Sequence, residues 1–184
     1  VATVSALMQR TIPPQTLIKA AFTVKDGESC PPEELERALV RCGYTRCEQV
    51  EGAGQFSRRG GIVDFFSPSY PEPVRIEFWG DDIDSMGFFD VKTQRRTESV
   101  EACRILPAAE SLATLATGGT EALTEALTAA ADKCSRHNKS SQQLRELEQT
   151  LRTDIERLRQ SVKLEYADRY MPFLYEKASG ADFI

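Results

Sequence analysis

Two adjacent segments of this chain constrain its fold more than any other feature of the sequence. The first covers residues 54–66 and carries the glycine pair Gly60-Gly61 at its centre. The second, residues 74–79, alternates apolar and polar side chains, which is typical of a strand with one buried face. Residues 67–73 between them hold three prolines and cannot form a central strand, because proline has no backbone N–H. We therefore predict consecutive antiparallel strands, with a bulge or a close backbone approach at the glycine pair.

The alternation in residues 74–79 separates an apolar face from a polar face. The apolar face consists of Val74, Ile76 and Phe78, and the polar face consists of Arg75, Glu77 and Trp79. Arg58 or Arg59 of the preceding strand can lie beside the polar face. One interpretation is a solvated face with cross-strand ion pairs, each worth about 0–1 kcal/mol. The other is a docking surface for a partner protein, since Trp and Arg are frequent among interface hot spots. An inward orientation of Trp79 at the strand end also stays open.

The chain changes character near Pro107, beyond which Ala, Leu, Glu, Gln and Arg recur at helical spacing. Between residues 141 and 162 the apolar positions step by three or four, which predicts an amphipathic helix of about six turns. A second helix is predicted over residues 120–134. A dimeric coiled coil is the alternative for the longer helix. Because only about three heptads are present, we favour packing against neighbouring helices.

These patterns predict an α+β fold. Residues 1–107 are expected to form a small antiparallel β-sheet domain with one or two helices, and residues 108–184 a mainly helical region. One helix of the first domain is expected to bury Leu35 and Leu39 and to end at Gly43 as a left-handed cap. Further strands are predicted over residues 20–24, 83–89, 95–100 and 103–106, the last two of which complete the sheet.

Composition and motifs argue against several classes of function. A net charge of −5 opposes sequence-independent binding to nucleic acid, which requires many Lys and Arg residues. No apolar run approaches the ~20 residues of a membrane span, and five cysteines without paired spacing are typical of a reducing, cytoplasmic setting. The sole histidine, His137, is expected at the surface, so no metal ligand is predicted. The common nucleotide-binding, serine-hydrolase and zinc-protease motifs are absent, so we predict no catalytic residue and no enzyme.

Two other interpretations of the charged residues stay open. An acidic group near the Gly80 turn would hold a divalent cation or act as an acid/base pair; its members are Glu77, Asp81, Asp82 and Asp84. Such a run is more often a simple turn. A direct nucleic-acid-binding module would instead use the basic residues Arg58, Arg59, Arg95 and Arg96. A steep salt dependence of DNA binding would support that module, and the acidic net charge speaks against it.

Segments of this chain resemble the UvrB-homology module of bacterial transcription-repair coupling factors. The resemblance is carried by residues 54–66 and 75–85, followed by Phe89-Asp90 and Thr93-Gln94-Arg95. Upstream, Leu7-Met8-Gln9-Arg10 is similar to the segment that leads into the module. Downstream, Tyr170-Met171-Pro172-Phe173-Leu174-Tyr175 is similar to the end of the helical region that follows it. UvrB itself shares the strand motif and is the nearest alternative, but both flanking segments are more similar to the coupling factors.

The resemblance implies a protein-docking module that performs no chemistry of its own. In this family the β domain recruits UvrA, the damage-recognition ATPase of nucleotide excision repair. The family's UvrA-binding positions fall on Arg59, Arg75, Glu77, Phe78 and Trp79, with Arg58 as an accessory candidate. The alternation places Phe78 on the apolar face, in conflict with that role. Full-length members also bind RNA polymerase and double-stranded DNA and use ATP and Mg²⁺. We therefore expect a cytoplasmic repair fragment, acting at stalled RNA polymerase, that has no cofactor of its own.

Overall fold

The computed structural model describes residue 3, residues 8–137, residues 141–176, and residues 179 and 182. Leu7 and the side chain of His137, both singled out from the sequence, lie outside the described part. The chain divides into two compact units, Gln15–Ala109 and a second unit that joins Val1–Pro14 to Glu110–Ile184. This division differs from the predicted one at the start of the chain, which we had placed with the sheet. The α+β prediction is confirmed, with a strand-rich region followed by helices.

Eight strands form two sheets in the Gln15–Ala109 unit. They are β1 (Phe22–Lys25), β2 (Thr45–Arg46), β3 (Gln55–Arg59), β4 (Ile62–Phe65), β5 (Val74–Trp79), β6 (Asp82–Phe89), β7 (Arg96–Ser99) and β8 (Ala102–Ile105). The larger sheet has six strands in the order β2-β3-β4-β5-β6-β7, and all its neighbours are antiparallel except β2 and β3. Strand β8 pairs with β1 in a separate two-stranded sheet, so the prediction that residues 103–106 complete the main sheet was wrong.

The glycine pair forms a hairpin turn, so the predicted bulge is absent from this strand pair, whereas the predicted close backbone approach is present: a Cβ at Gly61 would lie 3.1 Å from the backbone oxygen of Phe78. Arg59 pairs with Ile62, so Gly60 and Gly61 are the two central residues of the loop between β3 and β4. Gly60 has a φ of +62°, which a residue with a Cβ adopts only at a cost. The loop between β5 and β6 uses Gly80, with a φ of +64°, in the same way. The bulge alternative was wrong because paired glycines suit a two-residue loop as well as a bulge.

One face of the main sheet packs on helix α2 (Pro32–Arg41), which follows the short helix α1 (Pro14–Ala20). The core between helix and sheet is apolar and fully buried, and its larger members are Leu35, Leu39, Phe56, Phe65, Val74 and Ile76. The predicted buried face of this helix is confirmed. Gly43 follows the helix with a φ of +85°, as expected for a left-handed cap. Helix α2 thus covers this face of the sheet, and Asp64 and Arg75 lie opposite each other on the other face.

Helices dominate the second unit. They are α3 (Gly119–His137), α4 (Gln142–Arg159) and α5 (Met171–Leu174), with single 3₁₀ turns at Ala113–Leu115 and Ala167–Tyr170. The Ser141 side chain caps α4 by accepting a hydrogen bond from the Leu144 amide. The middle of the predicted apolar stripe is buried at Leu151, Ile155 and Leu158. Its ends are not, since Leu147 is half-exposed and Val162 lies beyond the end of the helix. Within the described residues no helix has the length and apolarity that a membrane crossing requires.

Candidate functional site

The face of the main sheet turned away from α2 brings most of the predicted site residues together. In the strand register Asp64 lies opposite Arg75, and Arg75 lies opposite Gly87. One step along the strands, Glu77 lies opposite Ser85. Residues opposite each other in neighbouring strands share a face. We extend the name polar face to this wider surface, which is formed by Arg59, Asp64, Arg75, Glu77, Ser85 and Arg96 and has Trp79 at its border.

A buried ion pair forms the centre of the polar face. The carboxylate of Asp64 is only 2% exposed, although β4 is otherwise an apolar strand. Arg75 donates to it twice, from Nε to Oδ1 at 2.7 Å and from Nη2 to Oδ2 at 2.8 Å. Arg59 adds a third hydrogen bond, from Nη2 to Oδ2 at 2.9 Å. Such a two-pronged pair is both strong and fixed in geometry. Hydrogen bonding to Asp64 therefore raises the pKa of Arg75 above its ordinary value, against the opposing effect of burial.

Arg75 also makes contacts outside the ion pair. Nη1 donates to the backbone oxygen of Gln94 at 3.1 Å, and Nη2 lies 3.2 Å from the Gln94 side-chain oxygen. The guanidinium stacks over the buried ring of Phe89, 4.5 Å from its centroid. Only 16% of the Arg75 side chain is exposed. Arg75 is thus held in place by Asp64, Gln94 and Phe89, and little of its side chain is left for a partner to contact.

Glu77 and Arg96 occupy the next part of the polar face. The Glu77 carboxylate is half-exposed, and its Oε1 lies 3.6 Å from Nη2 of Arg96. The same nitrogen donates to the Ser85 hydroxyl at 3.1 Å. An exposed pair of this length is weak, because water screens both charges. Glu77 therefore has a partner within the chain that an incoming cation can displace at little cost.

Trp79 ends strand β5 with its side chain in solvent. The residue is 82% exposed, which excludes the inward orientation left open from the sequence. Its neighbour Phe78 is half-buried and packs against the core, as the alternation predicts. The pairing between β5 and β6 shifts register between Glu77 and Phe78. An irregularity of this kind re-aims the side chains beside it.

Arg58 faces away from the other arginines of the hairpin. Its guanidinium pairs with two carboxylates of helix α2, those of Glu33 at 2.6 Å and Glu36 at 2.8 Å. Hydrogen bonds to these groups raise the pKa of Arg58, and the bond from Arg58 lowers the pKa of Glu33. Arg58 therefore joins the helix to the sheet and does not lie on the polar face.

The described residues offer little that is typical of catalysis. No group of three or more His, Cys, Asp or Glu side chains among them is arranged to hold a metal ion. Burial is the main cause that raises the thiol pKa of Cys30, Cys42, Cys47 and Cys103, in the last case to about 11. A raised thiol pKa leaves little thiolate at neutral pH, and the thiolate is the nucleophile.

Several residues of the site were not assigned to it from the sequence, although Arg96 was named among the candidate nucleic-acid contacts. Asp64, Phe89 and Gln94 hold Arg75 in place, and Ser85 with Arg96 borders Glu77. Asp64 carried a usable signal, because a carboxylate inside the apolar run Ile62-Val63-Asp64-Phe65-Phe66 needs a buried partner. The other contacts depend on how β5, β6 and β7 pair, which local pattern does not reveal.

Comparison with known proteins finds a family match for the part of the chain that contains these residues. Residues 22–110, which include every predicted site residue, match the family model described as the UvrB interaction domain. The transcription-repair-coupling factor of Myxococcus xanthus is 40% identical over 114 residues, covering 62% of this chain and 10% of that protein. The protein of the same name from Escherichia coli is 38% identical over 107 residues, covering 58% of this chain and 9% of that protein. The one from Bacillus subtilis is 31% identical over 178 residues, covering 95% and 15%. The chain thus spans a small part of the length of each of these relatives.

Proposed function

Because residues 22–110 of this chain belong to the UvrB interaction domain family, which transcription-repair coupling factors share, we propose that the chain docks UvrA. The docking surface is the polar face together with Trp79. The interaction is non-catalytic and belongs to nucleotide excision repair at stalled RNA polymerase. In a longer protein of this family, binding of RNA polymerase and double-stranded DNA, and translocation driven by ATP with Mg²⁺, would come from other segments.

The observation that carries this proposal is the exposure of Trp79. Its side chain is 82% exposed at the border of a face built from arginines and carboxylates. A tryptophan side chain offers about 150–250 Å² of mainly apolar surface that a partner can cover. Trp and Arg are also the residue types most enriched among interface hot spots. We therefore assign Trp79 the role of the apolar anchor.

The charged residues have separate roles in this proposal. Arg59 is half-exposed, so it can bind a carboxylate of UvrA while it keeps its bond to Asp64. Glu77 is half-exposed as well and suits a basic partner group. Arg75 is mostly covered, and its contribution is to hold Asp64, and through it Arg59, in position. Phe78 supports the strand end from the core side, which limits its direct contact with a partner.

Calorimetric titration of UvrA with the wild-type chain and with the Trp79→Ala variant tests the proposal. We expect measurable binding by the wild type and a loss of affinity of at least about a hundredfold in the variant. Val40→Ala is the matched control, because Val40 is an exposed apolar residue of α2 on the other side of the sheet. Equal binding by Trp79→Ala and Val40→Ala would exclude Trp79 as the anchor. Absence of binding by folded wild type would overturn UvrA docking itself.

A further inference from the structure

We propose that Arg96 is a second docking arginine of the polar face beside Arg59, placed over Gly87 to bind a carboxylate of UvrA. This inference rests on the proposed function. It assigns a role to a residue that the family resemblance did not mark. The supporting observations are the space over Gly87, the unused donors of Arg96 and the charge balance of the polar face.

The Arg96 side chain crosses the sheet over Gly87. Gly87 lies between Arg75 of β5 and Ser99 of β7 in the strand register. A Cβ at position 87 would lie 2.8 Å from Nε and 3.1 Å from Cδ of Arg96. It would also lie 2.6 Å from the backbone oxygen of Glu98. Any side chain at this position would therefore block the path, and the glycine is what lets Arg96 reach inward from an edge strand.

The guanidinium of Arg96 is anchored on one side only. In the part of the chain that the structure describes, its contacts to Ser85 and Glu77 both come from Nη2. An arginine has five N–H donors, so Nε and Nη1 retain donors for a partner. A third of the side chain is exposed. Arg75, by contrast, uses all three of its nitrogens within the chain.

The charges of the polar face favour an acidic partner group. Three arginines, Arg59, Arg75 and Arg96, lie with the two carboxylates of Asp64 and Glu77, which leaves one positive charge in excess. The chain as a whole has a net charge of −5. A locally positive face on an acidic protein is complementary to carboxylates and steers their approach. The weak 3.6 Å contact with Glu77 leaves Arg96 able to exchange that carboxylate for one on the partner.

Titration of UvrA with Arg96→Ala and Arg95→Ala, beside the wild type, tests the assignment. The two variants remove the same charge from adjacent residues. Arg95 is exposed and contributes no ion pair among the described residues, whereas Arg96 lies on the polar face. We expect Arg96→Ala to weaken binding about tenfold or more, and Arg95→Ala to weaken it less than about threefold. Arg96→Lys should restore part of the affinity, since it returns the charge without the planar fork.

Three outcomes separate this inference from the proposed function. Thermal unfolding of each variant first establishes that both fold as the wild type does. If Trp79→Ala loses binding while Arg96→Ala matches Arg95→Ala, UvrA docking stands and the role of Arg96 is overturned. If both arginine variants weaken binding equally, the effect is one of net charge and the assignment also fails. If the folded wild type does not bind UvrA, the inference fails together with the proposed function.

Discussion

Arg75 of β5 and Asp64 of β4 lie directly opposite each other and are joined by two parallel hydrogen bonds of 2.7 and 2.8 Å. Asp64 is 2% exposed and Arg75 is 16% exposed, so both charges are largely shielded from water. Removing two charges from water is costly, and the cost is offset only while each keeps its partner. The polar face therefore depends on this pair for its order, even though the pair itself contacts little solvent.

Replacement of Asp64 should destabilise the fold. Asp64→Asn leaves the covered guanidinium of Arg75 without a counter-charge, and we expect a loss of about 3–5 kcal/mol in the free energy of unfolding. Asp84→Asn makes the same chemical change at an exposed position of β6 and should alter stability by no more than about 0.5 kcal/mol. Urea denaturation of both variants provides the measurement. Equal stability of the two variants would contradict the dependence that we infer.

Position 60, in the turn between β3 and β4, should accept asparagine at a lower cost in stability than alanine. Gly60 has a φ of +62°, so Gly60→Ala should cost about 1–2 kcal/mol. Gly60→Asn should cost less, because asparagine adopts this backbone conformation more readily. Thermal unfolding of the two variants compares them at constant loop length. The reverse order would show that the loop changes its conformation on substitution.

Gly87 should be intolerant of even a methyl group. A Cβ would lie 2.6 Å from the backbone oxygen of Glu98, which cannot move without disturbing β7. We expect Gly87→Ala to cost about 1–3 kcal/mol of stability. Gly52→Ala is the control, since a Cβ at that position meets no atom within 4 Å. Denaturant midpoints measure both changes, and equal midpoints would mean that the sheet edge moves aside freely.

The link between Arg58 and helix α2 should be sensitive to acid. The hydrogen bond from Arg58 lowers the pKa of Glu33 in the folded chain, so the carboxylate stabilises the fold above its unfolded pKa, about 4.3. That contribution is lost as the pH falls through the lowered folded pKa. Wild type should therefore be more stable than Glu33→Gln at pH 7, with the difference disappearing in acid. The urea midpoints of both proteins, determined from pH 7 to pH 2.5, measure this difference in stability. A stability difference that persists unchanged to pH 2.5 would show that it does not arise from the ionised carboxylate of Glu33.

Trp79 should report binding directly, since it is the only tryptophan in the chain. Fluorotryptophan incorporated into this chain alone gives a single ¹⁹F resonance that unlabelled UvrA does not overlap. In the free chain we expect the resonance to respond strongly to replacement of H₂O by D₂O, because the side chain is exposed. Addition of UvrA should shift the resonance and suppress that response. An unchanged resonance at saturating UvrA would place the contact elsewhere.

Individual strands and helices could be predicted from the spacing of apolar residues within each segment. The alternation from Val74 to Phe78 and the apolar spacing of Leu35 and Leu39 each describe one element, and the structure confirms them. The errors concern pairing between elements. Strand β8 pairs with β1, which lies near the other end of the same unit in sequence. This pairing depends on the closure of a long loop and cannot be predicted from the residues of either strand alone.

The site follows the same rule. Trp79 and the arginines stood out by residue type, but their surroundings depended on strand register. The hairpin at Gly60-Gly61 sets Asp64 opposite Ser57, and the longer β4–β5 connection sets it opposite Arg75. Neither pairing can be read from alternation within a single strand, so the buried ion pair emerged only from the structure.

The residues of the polar face come from five consecutive strands, β3 to β7, and no two neighbouring strands contain all of its charges. A short peptide copied from β5 would keep Trp79 and Glu77 but lose the carboxylate that orients Arg75. A partner would consequently bind this face only after strands β3 to β7 have paired. A partner that binds this face would therefore discriminate against unfolded copies of the chain and against copies in which part of the sheet is missing.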